Sequence, residues 1–327
     1  GEAVARRAVG IEINGEVIRA VVLRRTRRGP AVEAYVTIDH GGAVDAAGVV
    51  TNADAYLQAF LQALERTRAG RVNLCISVAC HHMDVRELEL PVMPQRDLEH
   101  AIRFELANVT RFGTGEELAF DYVPLPGDQQ KGRRRILTLS APRRVVRSFL
   151  DPLYAAGIYP EILEMGPFCL PWVCPREGGV CYLHADTGGA YLLILESQEF
   201  RVARQVNVEL KALIRQARRL SGDAAVFDDD PLAVKSFEEL ALAVERTLDF
   251  HRVRRRAAQV SEVVDGVVVS GELGRDQQFI RGLERRIGLP VVPADPIVGP
   301  GDAHVFGEDS PVYALACGMG ARGLTTL

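Results

Sequence analysis

The sequence predicts an α/β protein of two lobes, with a small α+β subdomain inserted into the first, and three observations lead there. At 327 residues the chain exceeds what one hydrophobic core commonly serves. A strand, an acidic residue, a Gly-containing turn and a second strand occur twice, about half the chain apart. The first copy runs from Val9 to Leu23 with Glu12 and Gly15, the second from Val180 to Leu195 with Asp186 and the turn Thr187-Gly188-Gly189. Between them lies a block with its own strand and helix pattern and a polar loop at 127–132.

The elements follow in order. After the first hairpin, Ala31 to Ile38 reads as a third antiparallel strand. Ala53 to Arg68 spaces Ala55, Phe60 and Leu64 as a helix that Gly70 stops, and Val72 to Val78 is a buried strand. The inserted block reads as strand Val85 to Leu90, helix Arg96 to Val109, and strands Leu118 to Val123 and Arg135 to Leu139. Helix Arg143 to Ala156, closed by Gly157, and strand Ile158 to Glu164 lead back. Past the central hairpin the expectation is helix Val206 to Leu220, a short strand Ala224 to Phe227, and a long helix Ser236 to Ala258. Then come strand Val267 to Ser270 running into Gly271, helix Asp276 to Ile287, strand Val291-Val292, and a closing helix Val312 to Arg322. Strand, Gly-turn, helix is where an open α/β sheet places ligands. The expected division is 1–84 and 143–177 for the first lobe, 85–142 for the insert, and 178–327 for the second lobe.

With 47% hydrophobic and 25% charged residues the composition is globular. A net charge of −4 argues against a general nucleic-acid binder, which needs a surplus of basic surface. The clusters Arg24, Arg25, Arg27 and Arg28, Arg133 to Arg135, and Arg252 with Arg254 to Arg256 read as solvated faces. No window approaches the roughly 18 to 20 apolar residues of a membrane helix, and the first residues lack a secretory pattern, so a soluble cytoplasmic protein is expected. Six cysteines, at 75, 80, 169, 174, 181 and 317, sit in apolar runs, as reduced buried thiols do.

Two acidic hairpin tips facing one cleft suggest cation and phosphate chemistry. Glu12 and Asp186 can hold Mg²⁺ through water while backbone N–H groups of the turns cradle phosphate oxygens. The plainer alternative is that both are polar tip residues. Cys75, Cys80, His81 and His82 are metal-ligand types, but no second pair completes a tetrahedral set. No serine, histidine and aspartate spacing suggests a nucleophilic enzyme, and no G-x-x-x-x-G-K-[ST] loop occurs.

These motifs resemble those of the actin, heat-shock ATPase and sugar kinase superfamily, and within it the PilM family of type IV pilus assembly proteins. Gly10-Ile11-Glu12-Ile13-Asn14 with Arg19 is similar to the family's first phosphate loop, where aspartate, glycine and lysine are usual in place of Glu12, Asn14 and Arg19. Asp186-Thr187-Gly188 is similar to the second loop, and Ser270-Gly271-Glu272-Leu273 to the adenosine loop. Leu88 to Pro94, then Leu98, Phe104-Glu105 and Phe120-Asp121-Tyr122, resembles the opening of the inserted subdomain; Tyr313 to Arg322 resembles the closing helix. Leu192, where a threonine is frequent, and the absence of paired glycines after the second hairpin depart from the pattern.

The resemblance implies an actin-like (ribonuclease H-like) fold and a cytoplasmic scaffold that binds the tail of a PilN-like inner-membrane protein. It implies ATP and Mg²⁺ between the lobes, contacted by Glu12, Asn14, Gly15, Arg19, Asp186, Thr187, Gly188, Gly189, Ser270, Gly271, Glu272 and Gly318, with Glu12 and Asp186 on the metal. Hydrolysis would be weak at most, with Asp186 the residue to order a water. The tail's groove would draw on Leu88, Leu90, Phe104 and Tyr122, which core packing explains equally well. Alternatives are the cytoplasmic domain of a GspL-like or MSHA-biogenesis protein, and an active ATPase or kinase of the superfamily.

Overall fold

In the computed structural model, residues 6–70, 72–78, 81–125, 132–219, 230–257, 263–299, 301 and 304–325 are described. Strands β1 (Arg7–Ile13), β2 (Val17–Thr26) and β3 (Gly29–Asp39) form an antiparallel meander. Helix α1 (Ala53–Arg66), capped by the Asn52 side chain, returns the chain so that β4 (Asn73–Val78) lies parallel to β1. The insert follows as β5 (Asp84–Pro91), α2 (Gln95–Val109), β6 (Leu118–Pro124) and β7 (Arg133–Pro142). Then α3 (Arg143–Ala155) and β8 (Ile162–Met165) complete a five-stranded sheet of order β3-β2-β1-β4-β8.

The second half repeats the plan. After the short α4 (Leu170–Val173) come β9 (Gly179–Asp186), β10 (Gly189–Glu196) and β11 (Glu199–Val206), again an antiparallel meander. Helices α5 (Lys211–Arg219) and α6 (Pro231–Ala257) precede β12 (Val264–Ser270), which lies parallel to β9. Helix α7 (Gln277–Ile287), β13 (Val291–Pro293) and α8 (Ser310–Thr325) close the chain, and the sheet order is β11-β10-β9-β12-β13.

The two sheets have opposite faces with different fates, because successive side chains of a strand point to opposite sides. In the first sheet Val9, Ile11 and Ile13 pack with Tyr56 and Phe60 of α1 and Phe149 of α3. In the second, Cys181, Leu183 and Ala185 pack with α5, α6 and α7. The inner faces share a third core with α4 and α8, in which Ala8, Val21 and Leu23 meet Val180, Tyr182 and Leu193. Gly10 faces α8 there: a Cβ on it would stand 1.8 Å from the Ala316 carbonyl oxygen and 2.3 Å from Gly320 N, so glycine is what lets the helix lie on the strand.

The insert has its own core, where the helical stripe Leu98, Ile102 and Leu106 covers Leu88, Leu90, Leu118 and Ile136 of a sheet ordered β5-β7-β6. Its outer strand β6 has no strand partner on its far side among the described residues. Two expectations need correction. The helix expected from Val206 begins at Lys211: Val206 still pairs with Ala190, and the Glu209 carboxylate caps Lys211 N at 2.9 Å. The strand expected from Ile158 begins at Ile162, since Gly157 and Ile158 donate their N–H groups to Tyr154 and Leu153 and so finish the helix first. The strand expected at 224–227 lies outside the described residues. Among those described, no helix is long and apolar enough to cross a membrane.

Candidate functional site between the two hairpins

The same period of two that builds the cores aims polar residues at one point. Glu12 continues the inner-facing series of Ala8 and Gly10, Arg19 that of Leu23 and Val21, and His184 and Asp186 that of Val180 and Tyr182. Glu12 lies directly across from Arg19 in the β1–β2 register, and His184 across from Ser270 in the β9–β12 register. All of these side chains are buried, Glu12 and Asp186 at 1% exposure each.

Arg19 is the centre of the arrangement. Its Nη1 donates to Glu12 Oε2 and to Asp186 Oδ2, each at 3.2 Å, and its Nη2 to Glu272 Oε1 at 3.2 Å. One guanidinium thus ties β1 to the second lobe at β9 and at the turn after β12. Arg218 of α5 adds an outer strap, reaching Glu16 of the first tip at 2.9 Å and Glu272 at 3.0 Å. Arg218 and Glu16 are half-exposed, so the outer strap contributes less than the buried one.

The electrostatics follow from burial. Removal from water, with Asp186 and Glu272 nearby, pushes the Glu12 carboxyl up to about 7 against the pull of Arg19. Burial alone would lower Arg19, but Glu12, Asp186 and Glu272 outweigh it and hold the guanidinium firmly charged. Burial holds His184 down at about 4, so the imidazole is neutral at pH 7. Its Nδ1 is 2.9 Å from Ser270 Oγ, while Nε2 has no hydrogen-bond partner and stands 3.9 Å from the equally unpartnered Glu12 Oε1. Glu12, His184 and Asp186 each offer a ligand atom, all within 4.8 Å of one another.

The turns are built to hold these positions. Asn14 Oδ1 accepts from Glu16 N and Val17 N, both at 2.9 Å, and the Asn14 carbonyl receives His40 Nε2 at 2.8 Å. The Asn14 side chain is therefore spent on shaping the turn that contains Gly15. In the second tip Thr187 and Gly188 form the connection, Asp186 Oδ1 accepts Thr187 N at 2.7 Å, and Gly189 has φ +110°. Gly271 has φ +84°, and a Cβ on it would come within 2.5 Å of the Ala185 carbonyl oxygen, which brings the turn after β12 against β9.

The expected residues therefore divide. Glu12, Arg19, Asp186, Ser270 and Glu272 meet in one cluster; Asn14, Gly15, Thr187, Gly188, Gly189 and Gly271 shape its turns. Gly318 faces Cys169, whose Sγ would lie 2.7 Å from a Cβ there, so its role is the packing of α8. His184, Arg218 and Glu16 were not anticipated. The signal for His184 was a basic side chain two residues before Asp186 in an otherwise apolar strand.

The groove residues also need correction. Leu88 and Leu90 are 7% and 5% exposed and lie beneath α2 in the insert's own core, so they line no open groove. Tyr122 packs against that core, with its hydroxyl bonded to Gln95. Phe104, at 68% exposure, projects from α2 into solvent.

Glu12 and Asp186 are the two carboxylates expected to hold Mg²⁺ through water, but His184 adds a donor outside the oxygen shell of that ion. Mg²⁺ takes oxygen ligands in a near-octahedral shell, whereas here one of the three is an imidazole nitrogen. Between the tips, where phosphates would run, lies the Arg19 side chain amid three carboxylates. Next to it, a cavity of about 940 Å³ extends from Arg218 and Glu272 past Asp276 and Gln278 to His304 and Pro311.

No protein-family profile and no curated protein sequence matches the chain. Solved structures do. The PilM chain of the PilM–PilN type IV pilus biogenesis complex superposes with a TM-score of 0.81 at 19% identity, over 98% of this chain and 99% of that one. The ethanolamine utilization protein EutJ of Carboxydothermus hydrogenoformans gives 0.50 at 11% identity, over 96% of this chain and 89% of that one. The cytoplasmic domain of EpsL, an inner-membrane component of the type II secretion system of Vibrio cholerae, gives 0.44 at 14% identity over 81% and 82%, too distant to argue from. The fold is the actin-like ATPase fold, in the form that PilM has.

Proposed function

We propose that this chain is a PilM-like scaffold of a type IV pilus assembly machine, binding the amino-terminal cytoplasmic tail of a PilN-like inner-membrane protein. The observation that carries the reading is the match to PilM, which spans 98% of this chain and so leaves no room for the insert to lie outside it. The protein would act at the inner face of the inner membrane, held there by its partner, and would link that partner to the pilus motor.

Two features of the insert support a peptide ligand. Strand β6 has an unpaired outer edge among the described residues, which offers backbone for an added strand. Phe104 presents an aromatic ring to solvent on the outer side of α2, where it contributes nothing to the insert's core.

Capture of a synthetic PilN-like tail by the intact protein, compared with capture by Phe104→Asp, tests the reading. Binding by the intact chain and loss in the variant is expected. No binding by the intact chain overturns it.

A second reading, nucleotide in the cleft, is favoured by the adjoining cavity of about 940 Å³. Its Glu272, Gly274 and Asp276 side has room for a nucleoside, while the Arg19 side chain stands between the hairpin tips. Calorimetry with a non-hydrolysable ATP analogue and Mg²⁺ decides it: saturable heat supports the second reading, and none at millimolar ligand removes it.

A further inference from the structure

We infer that Glu12, His184 and Asp186 form a binding site for a divalent first-row transition-metal ion of the Zn²⁺, Co²⁺ or Mn²⁺ type. This inference is independent of the partner reading. It rests on orphaned ligand atoms, on the groups that orient them, and on charge.

Two atoms that water would ordinarily satisfy are buried without a partner: Glu12 Oε1 and His184 Nε2. They face each other at 3.9 Å, and with an Asp186 carboxylate oxygen they form a set within 4.8 Å. Ligands about 2.0 to 2.2 Å from one ion stand roughly 3 to 3.5 Å apart, so small side-chain rotations close the set on a metal.

Each ligand is also held from behind, as metal ligands are. Ser270 Oγ lies 2.9 Å from His184 Nδ1, and in the tautomer that donates Nδ1–H to it, Nε2 keeps a lone pair aimed into the cluster. Arg19 binds Glu12 through Oε2, leaving Oε1 for the ion, and binds Asp186 through Oδ2. Thr187 N fixes the other oxygen of Asp186 at 2.7 Å. Arg19 is thus a positioning residue beside the site.

Charge sets the valence. Glu12, Asp186, Glu272 and Glu16 carry four negative charges when ionised, and Arg19 and Arg218 return two, leaving two for a dication to neutralise. One imidazole with two carboxylates suits zinc, cobalt and manganese; calcium and magnesium prefer an all-oxygen shell.

The test uses the full chain, stripped with EDTA, dialysed and titrated with Co²⁺ under calorimetry and visible absorption. Uptake of one Co²⁺ per chain is expected, with weak d–d bands and without the intense near-ultraviolet band of thiolate ligation. His184→Gln should weaken binding at least about 100-fold, as loss of one of three ligands does. Glu12→Gln, a second variant near in shape, should do the same, while His251→Gln, a buried histidine elsewhere, should leave the affinity unchanged. Absence of saturable one-to-one uptake by the intact chain overturns the inference. So does a thiolate band, equal affinity in folded His184→Gln, or Mg²⁺ bound as tightly as Co²⁺.

Discussion

Replacing Glu12 by Gln should change how stability depends on pH, in a direction and amount that the cluster dictates. In the folded protein Glu12 titrates near 7, against an ordinary 4.5, chiefly because it is buried. Between those values the folded chain keeps a proton that the unfolded chain has released, so stability falls as pH rises, by about 3 kcal/mol across the window. His184 does the opposite. Burial holds it near 4 against an ordinary 6.5, so the unfolded chain binds the extra proton and stability rises with pH over that range, again by about 3 kcal/mol. The two contributions nearly cancel where they overlap. In Glu12→Gln only the histidine contribution remains, so the variant should gain about 3 kcal/mol relative to the parent between pH 4.5 and 7. Urea unfolding in EDTA across that range, followed by far-UV circular dichroism, reads the difference. A stability difference that stays constant with pH to within about 1 kcal/mol would refute the reasoning.

The remaining predictions concern the latch, the helix bed and the insert. Arg19→Met should cost about 3 to 5 kcal/mol in urea unfolding at pH 8, since it leaves buried carboxylates without their cation; a loss below about 1 kcal/mol would show that the site is solvated. Gly10→Ala should cost at least about 2 kcal/mol or prevent folding, because its Cβ would overlap the Ala316 carbonyl; an unchanged melting temperature contradicts that packing. Ile102→Ala should destabilise the insert by about 2 to 5 kcal/mol. Limited proteolysis should then cut first within 84–142, and cutting elsewhere first would mean that the insert is not a separate cooperative unit.

The fold was legible because its signals are local. Alternating or continuous apolar runs mark the strands, and the acidic tips at Glu12 and Asp186 mark the equivalent hairpins of the two lobes. The closing helix was legible from Tyr313 to Arg322, though Gly318 read as a ligand contact, whereas in the structure it admits close packing against Cys169, as Gly320 does against Leu23. Helix starts were less legible where the cap is a glutamate such as Glu209, which no N-cap preference singles out.

The site was legible in its members and not in its bonding. Residue types and order put Glu12 and Asp186 at one cleft and the family resemblance added Arg19 and Glu272, but which charge pairs with which depends on how two sheets meet across 253 residues of chain. Arg19 read as a phosphate contact, and in the structure its guanidinium is the countercharge of Glu12, Asp186 and Glu272. His184 was passed over although it stands two residues before Asp186 on the same strand face, because its burial and its bond depend on the second strand. Its partner Ser270 arrives only through the parallel pairing of β9 with β12. Leu88 and Leu90 misled for the converse reason: apolar alternation shows that a strand face is covered, and α2 from the same insert is what covers it.

Hydrogen exchange on the intact protein, with and without a PilN-like tail peptide, tests the scaffold reading most directly. The account predicts new protection confined to the insert, in strand β6 at Leu118–Pro124 and in helix α2 at Gln95–Val109, with the two hairpin tips unchanged. Protection at the tips and the cavity beside Glu272 instead, or none anywhere at saturating peptide, would contradict it.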